Sequence, residues 1–328
     1  MSTAFVASTD RLSIVASDDD WTVTERLRDR RLESVAVSPH RPDRVLAGTF
    51  ESGLFRSTDG GETFDRVDFE GPDAVTSLAI SPRDPDVVWA GTEPSAVFRS
   101  TDGGTTFEPT PDLAQLPSAD DWYFPPRPDT HHVRWIEPHP ADPDRWYVAI
   151  EAGALVRTFD VGDSWEDRPA DARRDNHTLA THPDRPDRVY TAAGDGYAES
   201  DDGGDTWRYP QAGLDHRYVW GLAVDPGDPG RVLVSAARGA TAAHRRGNAH
   251  VYRKEDDGAW ERLDGRGLPT GDGTYRAVLD ATGDGRFWAC NDRGVFRSTD
   301  GGDSWTGIDA SWPERFGSRP PRGFAVIE

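Results

Sequence analysis

A ten-residue segment recurs along most of the chain. It reads Phe-Arg-Ser-Thr-Asp-Gly-Gly-Glu-Thr-Phe at residues 55–64. Close copies stand at 98–107 and 296–305, looser copies at 156–165 and 198–207, and eroded copies at 252–260 and 15–21. Asp59 and Asp102 are 43 residues apart, and Asp160 and Asp202 are 42 apart. A period of 20–50 residues is typical of solenoids, propellers and arrays, so the repeat restricts the fold to these classes.

A second element repeats upstream of each segment. It is a short apolar strand that ends in proline, as in Ser34–Pro39, Ser77–Pro82 and Gly221–Pro226. An Asp-Pro turn such as 83–86 follows, and then a β-branched and aromatic strand such as 87–92. Each unit therefore contains four short strands separated by turn residues. Four antiparallel strands in about 42 residues are typical of one blade of a β-propeller.

The repeats predict one all-β domain over residues 1–328, a propeller of seven four-stranded blades. The predicted blades are 32–70, 75–110, 131–170, 176–210, 217–263, 275–309, and a seventh formed by 323–328 together with 3–28. The last inner strand, 323–328, has no strands after it, whereas 3–28 contains three strands and no inner one. Pairing the two would close the ring and leave no exposed sheet edge.

The segments resemble the Asp-box, or BNR, repeat, whose form Ser-x-Asp-x-Gly-x-Thr-Trp is matched from Ser57, Ser100, Ser200 and Ser298. Families that share it include sialidases, xyloglucanases, sortilin-type receptors and photosystem II assembly factors. In such a turn aspartate accepts backbone hydrogen bonds and glycine supplies positive φ. We therefore expect a structural role for the central aspartates, Asp59, Asp102, Asp160, Asp202 and Asp300. The resemblance covers nearly the whole chain, but a fold does not determine chemistry.

The long insertions are all predicted on one face of the propeller. The repeated segments and the Asp-Pro turns connect strands on one face, and both are short. The longer connections belong to the other face, and they are 110–130, 168–176, 209–217, 237–250, 264–274 and 310–322. Insertions on one face of a repeat protein usually mark its binding face.

Polar and aromatic residues gather where the inner strands begin, and these starts should converge on the mouth of the central channel. The candidate ligand-binding residues are His131, His132, Arg134, His177, His216, Arg217, Tyr218, Trp220, Tyr275, Arg276 and Arg322. Three interpretations compete. Arginine and aromatic groups could bind an anionic or sugar-like ligand. Imidazoles could bind a divalent metal. The residues could also only fill and hydrate the channel.

The metal-binding and catalytic interpretations involve fewer residues than the ligand-binding interpretation. Candidate metal ligands are His132, His177 and His216, with Asp129 or Asp175. Asp129, Asp175 and Asp215 are candidate catalytic carboxylates for glycoside hydrolysis. No nucleophile elbow, phosphate loop or zinc motif is present. The aromatic and proline-rich loop 120–128 is a candidate lid or partner surface.

Charge excludes some partners. The 328-residue chain has 58 acidic and 37 basic residues and a formal charge of −21. A nucleic-acid binder needs a basic face, and docking on anionic lipid needs one too. No apolar run is long enough to span a bilayer, and the first residues resemble no targeting signal. We therefore expect a cytoplasmic protein without nucleic-acid or membrane partners. Its single lysine and abundant aspartate resemble the composition of haloarchaeal proteins.

The sequence favours a binding propeller for a small anionic or saccharide ligand, or for a protein segment. A glycoside hydrolase or lyase that uses the same residues is the first alternative, and an assembly scaffold is the second. The chain lacks the Arg-Ile-Pro motif of sialidases, and it contains one propeller where xyloglucanases resemble two facing each other. A typical sialidase is therefore not expected, and whether the protein is an enzyme stays open.

Overall fold

A computed structural model describes residues 2–17, 20–312 and 316–328. The strands in chain order are β1 Thr3–Ala7, β2 Leu12–Ser17, β3 Trp21–Arg26, β4 Leu32–Ser38, β5 Arg41–Thr49, β6 Leu54–Ser57, β7 Asp65–Arg66, β8 Ala74–Ile80, β9 Val88–Glu93, β10 Val97–Ser100, β11 Glu108–Pro109, β12 Val133–Pro138, β13 Trp146–Ile150, β14 Ala154–Thr158, β15 Asn176–His182, β16 Arg185–Ala193, β17 Gly196–Ser200, β18 Tyr218–Asp225, β19 Asp228–Ala237, β20 Asn248–Lys254, β21 Glu261–Arg262, β22 Gly271–Asp272, β23 Val278–Gly283, β24 Arg286–Asn291, β25 Gly294–Ser298, β26 Thr306–Gly307 and β27 Gly323–Ile327. Short helices span Leu113–Gln115, Ala119–Asp121, Ala242–Arg246 and Phe316–Ser318.

The strands form seven antiparallel sheets, each one blade of a propeller. Blades one to six begin at β4, β8, β12, β15, β18 and β23, and blade seven contains β27, β1, β2 and β3. The inner strands contact one another in a closed ring, in which β27 lies between β23 and β4. The predicted seven-bladed all-β fold is confirmed.

Four strands per blade is correct for most blades but not for all. Blades three and four have three strands each among the described residues. Their outermost position is reduced to single bridges, Arg157 with Glu166 and Glu199 with Arg208. Blade five gains a fifth strand, because β22 pairs with β20. In the predicted insertion 237–250, a π-helical turn fills 242–246, and β20 begins at 248.

The two ends of the chain share blade seven, as predicted. Strand β27 pairs with β1 over five residues, from Thr3 with Ile327 to Ala7 with Gly323. Because the pairing is antiparallel, the end of β27 lies beside the start of β1. Phe324 and Val326 pack towards blade six, and Ala325 packs with the apolar residues of blade one. The last strand therefore completes a sheet and joins two neighbouring blades.

The repeated segments form tight turns with one hydrogen-bond pattern. In the first, Ser57 Oγ donates to Asp59 Oδ1 (2.7 Å) and accepts from the backbone N–H of Gly61 (2.9 Å). Thr63 donates to Asp59 through its backbone N–H (2.9 Å) and its hydroxyl (2.6 Å). Gly60 and Gly61 have φ of 72° and 94°, values that favour glycine. The same bonds surround Asp102, Asp160, Asp202 and Asp300.

Apolar side chains fill the spaces between blades. Between blades two and three, the rings of Trp89 and Trp146 stack with centroids 4.4 Å apart and planes 11° apart. Both indoles are fully buried. The core is thus divided into layers between adjacent sheets. In the part of the chain that the structure describes, no helix is long and apolar enough to cross a bilayer.

Lys254, the one lysine of the sequence, lies in this interior rather than on the surface. Its side chain in β20 is fully buried, and Nζ lies 3.3 Å from Glu199 Oε2. Nζ also donates to the backbone oxygen of Asp256. Burial lowers the pKa of Lys254, and Glu199 opposes that shift. Lys254 therefore joins blades four and five through a buried ion pair.

Two carboxylates bridge neighbouring inner strands. Asp280 accepts hydrogen bonds from the backbone N–H groups of Val326 (2.8 Å) and Ala281 (2.8 Å). Glu137 accepts from the backbone N–H and the hydroxyl of Thr181, both at 3.0 Å. No cation lies within 4 Å of either carboxylate among the described residues. Burial raises the pKa of Asp280 and of Glu137 to about 7 each.

These two groups predict that stability falls as pH rises. Between about pH 4 and pH 7 the folded state binds protons at these sites that the unfolded chain has released, so the free energy of unfolding decreases with pH. Asp280→Asn cannot ionise. As the pH rises from about 5 to about 8, we expect the free energy of unfolding of the variant to increase by about 1–2 kcal/mol relative to that of the wild type. This value is reduced for the partial solvent access of the carboxylate.

Urea unfolding of both proteins at about pH 5 and about pH 8 measures this change in the free energy of unfolding. The control is Asp284→Asn, which removes an exposed carboxylate of the same blade. Equal pH dependence in wild type and Asp280→Asn would show that Asp280 does not titrate in this range.

Candidate functional site

A cavity of about 570 Å³ opens at the mouth of the central channel. It lies on the face that carries the turns after the second strands and the loops that enter the inner strands, which we call the upper face. Four of the predicted insertions contribute to its wall, through Asp175 and through the segments 124–127, 240–245 and 319–322. Part of the insertion 310–322, residues 313–315, lies outside the described residues. The volume is in the range of small-molecule sites.

Five inner strands present a side chain to this region from the same irregularity. In each strand the register shifts at one residue near the start, and the residues at the shifts are Glu33, Thr76, Arg134, His177 and Trp220. Each stands six positions before the proline that ends the strand motif. A β-bulge turns a side chain away from the regular alternation, and bulges are frequent beside functional sites. The repeat therefore supplies five inward positions, and their residue types determine the chemistry.

Glu151 is the centre of the polar network. It follows β13 and is buried, and its two oxygens have different neighbours. Oε2 lies 3.0 Å from His132 Nε2 and 3.9 Å from Arg134 Nε. Oε1 lies 3.8 Å from His177 Nε2, and Asp175 Oδ1 is 3.6 Å from that same nitrogen. One buried carboxylate thus contacts residues of blades three and four.

His132 lies between two carboxylates. Its Nδ1 is 3.6 Å from Glu93 Oε2, on the side opposite Glu151. Arg127 donates two hydrogen bonds to the carboxylate of Glu93, and the bond from Nε is 2.6 Å long. Phe124 packs edge-on against the His132 ring, with centroids 4.6 Å apart. The loop 124–127 is therefore attached to blades two and three and covers one side of the cavity.

Two buried guanidinium groups contact Trp220. Arg276 Cζ is 4.1 Å and Arg134 Cζ is 4.8 Å from the centroid of its ring. Nη1 and Nη2 of Arg276 are buried and have no hydrogen-bond partner among the described residues. Burial and the charges of Arg322 and Arg134 lower the pKa of Arg276. Arg134 lies 3.9 Å from Glu151, whereas no carboxylate lies within 4 Å of Arg276 among the described residues.

Tyr218 is held in place from behind by His244. Arg276 Nε donates to His244 Nδ1 (3.1 Å), so the other ring nitrogen carries the hydrogen and donates to the Tyr218 hydroxyl (3.1 Å). Burial and the charge of Arg276 lower the pKa of His244 to about 2, which keeps the ring neutral. The Tyr218 hydroxyl hydrogen has no acceptor among the described residues and is left for a ligand.

The two carboxylates beside His177 have opposite pKa shifts. Burial acts to raise the pKa of Glu151, but the hydrogen bond from His132 and the electrostatic influence of the neighbouring His132, His177 and Arg134 side chains outweigh it and hold that pKa below its usual range. Burial raises the pKa of Asp175, and the charge of Glu151 adds to the increase. The hydrogen bond from His132 and the guanidinium of Arg134 thus favour the ionised form of Glu151, whereas burial dominates at Asp175.

The structure brings several sequence-predicted residues together at the cavity. The residues that line it are His132, Arg134, Asp175, Tyr218, Trp220 and Arg322. His177 and Arg276 lie behind them, against Asp175 and Trp220 respectively. Of the adjacent pair His131 and His132, it is His132 that faces the cavity. His131 packs edge-on against Trp122, with centroids 5.5 Å apart. In the aromatic loop Trp122 is buried, Tyr123 is 46% exposed and Phe124 lines the cavity.

Other predicted residues lie elsewhere. His216 lies in a separate pocket near His250, and its Nδ1 contacts the Tyr252 hydroxyl. It therefore does not join His132 and His177 as a metal ligand. Tyr275 lies behind the rim, with its hydroxyl 3.4 Å from the Arg245 oxygen. Arg217, Asp129 and Asp215 are exposed and do not line the cavity, because they stand in the loops before the inner strands turn inward.

Sequence reasoning missed the residues that follow second strands. Glu93 is the last residue of β9 and Glu151 directly follows β13, both at the turn into the third strand. Aligning the repeats shows that this turn and the bulge six residues before the proline occupy equivalent positions in successive blades. A charged residue at the turn after the second strand, or at the bulge of the inner strand, was the sequence signal that could have identified these site residues. Glu33, at the bulge of blade one, is a further example, and Arg31 donates a hydrogen bond of 2.7 Å to it.

Fold and site together define a seven-bladed propeller with a basic cavity at one mouth of its channel. No protein-family model matches the chain. No curated protein matches it either.

Solved structures show similar propellers. An ancestral GH74 enzyme aligns at TM-score 0.66 and 16% identity over 90% of this chain and 38% of its own length. The GH74 enzyme of Niastella koreensis aligns at 0.67 and 16% over 92% and 53%. YCF48 bound to D1 peptide aligns at 0.60 and 17% over 85% and 81%. The chain thus spans about half or less of the GH74 enzymes, and at these identities the likeness concerns the fold.

Proposed function

We propose that the chain is a binding propeller whose upper cavity takes a small ligand with carboxylate or phosphate groups. The observation that carries this proposal is the charge of the cavity. Among the described residues it is lined by six arginines and three carboxylates, those of Glu33, Glu151 and Asp175, and the adjacent Glu93 pairs with Arg127. The excess of positive charge is notable in a chain of formal charge −21. Guanidinium groups bind carboxylate and phosphate through paired hydrogen bonds.

The rest of the wall suits an organic anion rather than a bare ion. Phe50, Phe124 and Tyr218 provide aromatic surface, and the Tyr218 hydroxyl provides a free donor. Aromatic faces stack on sugar rings and other flat groups. We therefore favour acidic sugars, sugar phosphates and similar compounds as ligands. Such a molecule could pair with Arg134 at the base and with Arg322 at the side.

Arg134→Met tests this proposal, because it keeps much of the side-chain volume and removes the charge. We expect uronic acids or sugar phosphates to raise the melting temperature of the wild type. We expect the variant to bind the same anion roughly 10- to 100-fold more weakly, since a hydrogen bond to a charged group contributes about 1.5–3 kcal/mol. Isothermal titration calorimetry gives the affinities.

The matched control is Arg286→Met, which removes a guanidinium that pairs with Glu328 away from the cavity. Its anion affinity should equal that of the wild type. Failure of every anion in the panel to bind, or equal binding by Arg134→Met, would contradict the proposal. The panel should contain neutral sugars as well, because their binding without the anions would favour a saccharide site.

Glycoside hydrolysis is the second candidate function. Oxygen atoms of Glu151 and Asp175 lie within 4.8 Å of each other, and both residues line the cavity. Carboxyl pairs about 5–5.5 Å apart act in retaining glycosidases. The likeness to GH74 enzymes supports this candidate at the level of the fold. Turnover of a glycoside by the wild type that Asp175→Asn abolishes would favour it over binding alone.

A protein partner is a further possibility that the same experiments can address. YCF48, one of the similar structures, is bound to a peptide. The exposed Tyr123 stands at the rim beside the loop 124–127. An acidic peptide that binds the wild type, and loses affinity with both Tyr123→Ala and Arg134→Met, would indicate that the anion in the cavity belongs to a protein segment.

A further inference from the structure

One ring nitrogen of His177 makes a hydrogen bond, and the other makes none among the described residues. The ring is fully buried, and Nδ1 lies 2.7 Å from the backbone oxygen of Val219. A carbonyl oxygen only accepts, so Nδ1 carries the hydrogen and donates it. Nε2 has no hydrogen-bond partner among the described residues, although it is buried. This arrangement, with one nitrogen donating to a backbone carbonyl and the other free, is typical of metal-binding histidines.

The free nitrogen is aimed at two carboxylates. Nε2 lies 3.6 Å from Asp175 Oδ1 and 3.8 Å from Glu151 Oε1. Both separations are longer than ordinary hydrogen bonds. Two donor atoms that bind one tetrahedral ion at about 2.1 Å are about 3.4 Å apart. The three donor atoms all lie within 4.8 Å of one another. The spacing is therefore close to that of ligands around a shared cation.

The surrounding residues hold these groups in place. Asp175 Oδ1 accepts a hydrogen bond from the Ala152 backbone (2.9 Å). Trp220 packs on the His177 ring, with centroids 4.3 Å apart. Gly194 leaves the space that the site needs, because a Cβ there would stand 1.9 Å from Asp175 Oδ2 and 3.3 Å from His177 Cε1. The carboxylate of Asp175 thus occupies space that any other residue at position 194 would fill.

We propose that Glu151, Asp175 and His177 bind one divalent transition-metal ion such as Zn²⁺. One imidazole and two carboxylates balance a double charge and suit Zn²⁺, Mn²⁺ or Fe²⁺. Glu151 would bind through Oε1, because Oε2 is engaged by His132. Three protein ligands leave at least one coordination position open, as in catalytic zinc sites. The site goes beyond the anion pocket and revises the ligand set that the sequence indicated, with Glu151 in place of His132 and His216.

The experiment measures metal binding directly. Untagged protein is treated with a chelator and dialysed, and Zn²⁺ or Co²⁺ is then titrated with elemental analysis and visible absorption as readouts. We expect one equivalent to bind and the Co²⁺ spectrum to show low-symmetry coordination with nitrogen and oxygen ligands. His177→Gln should abolish that spectrum.

Two variants keep the test independent of misfolding. Gly194→Ala retains all three ligands but displaces Asp175, and we expect a loss of affinity of roughly 10- to 100-fold. His182→Gln is the matched control, since His182 is equally buried in β15 but faces the backbone of Asp225. It should bind metal like the wild type. Metal affinity equal to that of the wild type in either His177→Gln or Gly194→Ala, or no binding by the wild type, would overturn the proposal.

The result is separable from the anion pocket. Anion titrations of the metal-free wild type test the arginines alone. If the anion binds without metal and Zn²⁺ does not bind, the metal site is wrong and the pocket stands. If Zn²⁺ binds stoichiometrically and the panel of anions does not bind, the metal site stands and the anion pocket is wrong.

Discussion

Removal of residues 323–328 is expected to leave the chain without a stable folded state. The deletion takes away β27, the inner strand of blade seven, and with it the five-residue ladder to β1. It also exposes apolar side chains of blades six and one and frees the edge of β1. An unpaired edge beside exposed apolar surface favours aggregation. Size-exclusion chromatography and circular dichroism should show aggregated or unfolded protein where the full chain is a cooperative folded species.

A rearranged chain is the matched control for this deletion. Because Ile327 pairs with Thr3, placing residues 323–328 ahead of Ser2 would join β27 and β1 as an ordinary hairpin. The composition is nearly unchanged and the ladder can form as before. We expect this permutant to fold with a melting temperature close to that of the full chain. A truncated chain that melts like the full one would show that the ring does not depend on its closing strand.

Trp146→Ala is expected to cost about 3–5 kcal/mol of stability, the usual range for a large aromatic removed from a core. The indole is buried and stacks on Trp89, and its Nε1 donates to the Pro143 oxygen (3.0 Å). For a chain of 328 residues the loss corresponds to a decrease of about 4–7 °C in melting temperature. Trp146→Phe keeps most of the apolar contact and should cost clearly less.

Differential scanning calorimetry measures both variants. Trp165→Ala is the comparison, since Trp165 is only partly buried and meets Trp89 edge-on at 6.0 Å. Its effect should be the smaller one. A melting temperature of Trp146→Ala within about 1 °C of wild type would mean that the interface between blades two and three contributes little to stability.

Most of the fold could be predicted from the sequence because its signals are local and repeated. The turn around Asp59 depends on residues within four positions of it, and the blade count depends on the repeat length. The closure by 323–328 could be predicted because an inner strand without partners and partners without an inner strand stood at opposite ends. The reduced outer strands of blades three and four carry a weaker signal. Among the described residues each of these outer positions forms a single bridge, Arg157 with Glu166 in blade three and Glu199 with Arg208 in blade four.

The candidate site could be predicted only in part, because it depends on distances between blades. His132 and His177 lie at the starts of inner strands, and their convergence follows from the ring. His216 stands at a similar place in blade five, yet it turns towards His250 because it precedes the first residue of β18 by two positions. Glu151 follows a second strand, and its meeting with His177 across two blades depends on the twist and packing of the sheets, which the repeat does not encode.

The burial of Lys254 determines how the protein responds to amine chemistry. The sequence contains no other lysine, and this side chain is fully enclosed beside Glu199. Acylating reagents and enzymes that attach groups to lysine therefore find no side-chain amine on the native surface. The ε-amino group becomes reactive only when the contact between blades four and five opens. The rate of acylation of Lys254 therefore reports how often the contact between blades four and five opens.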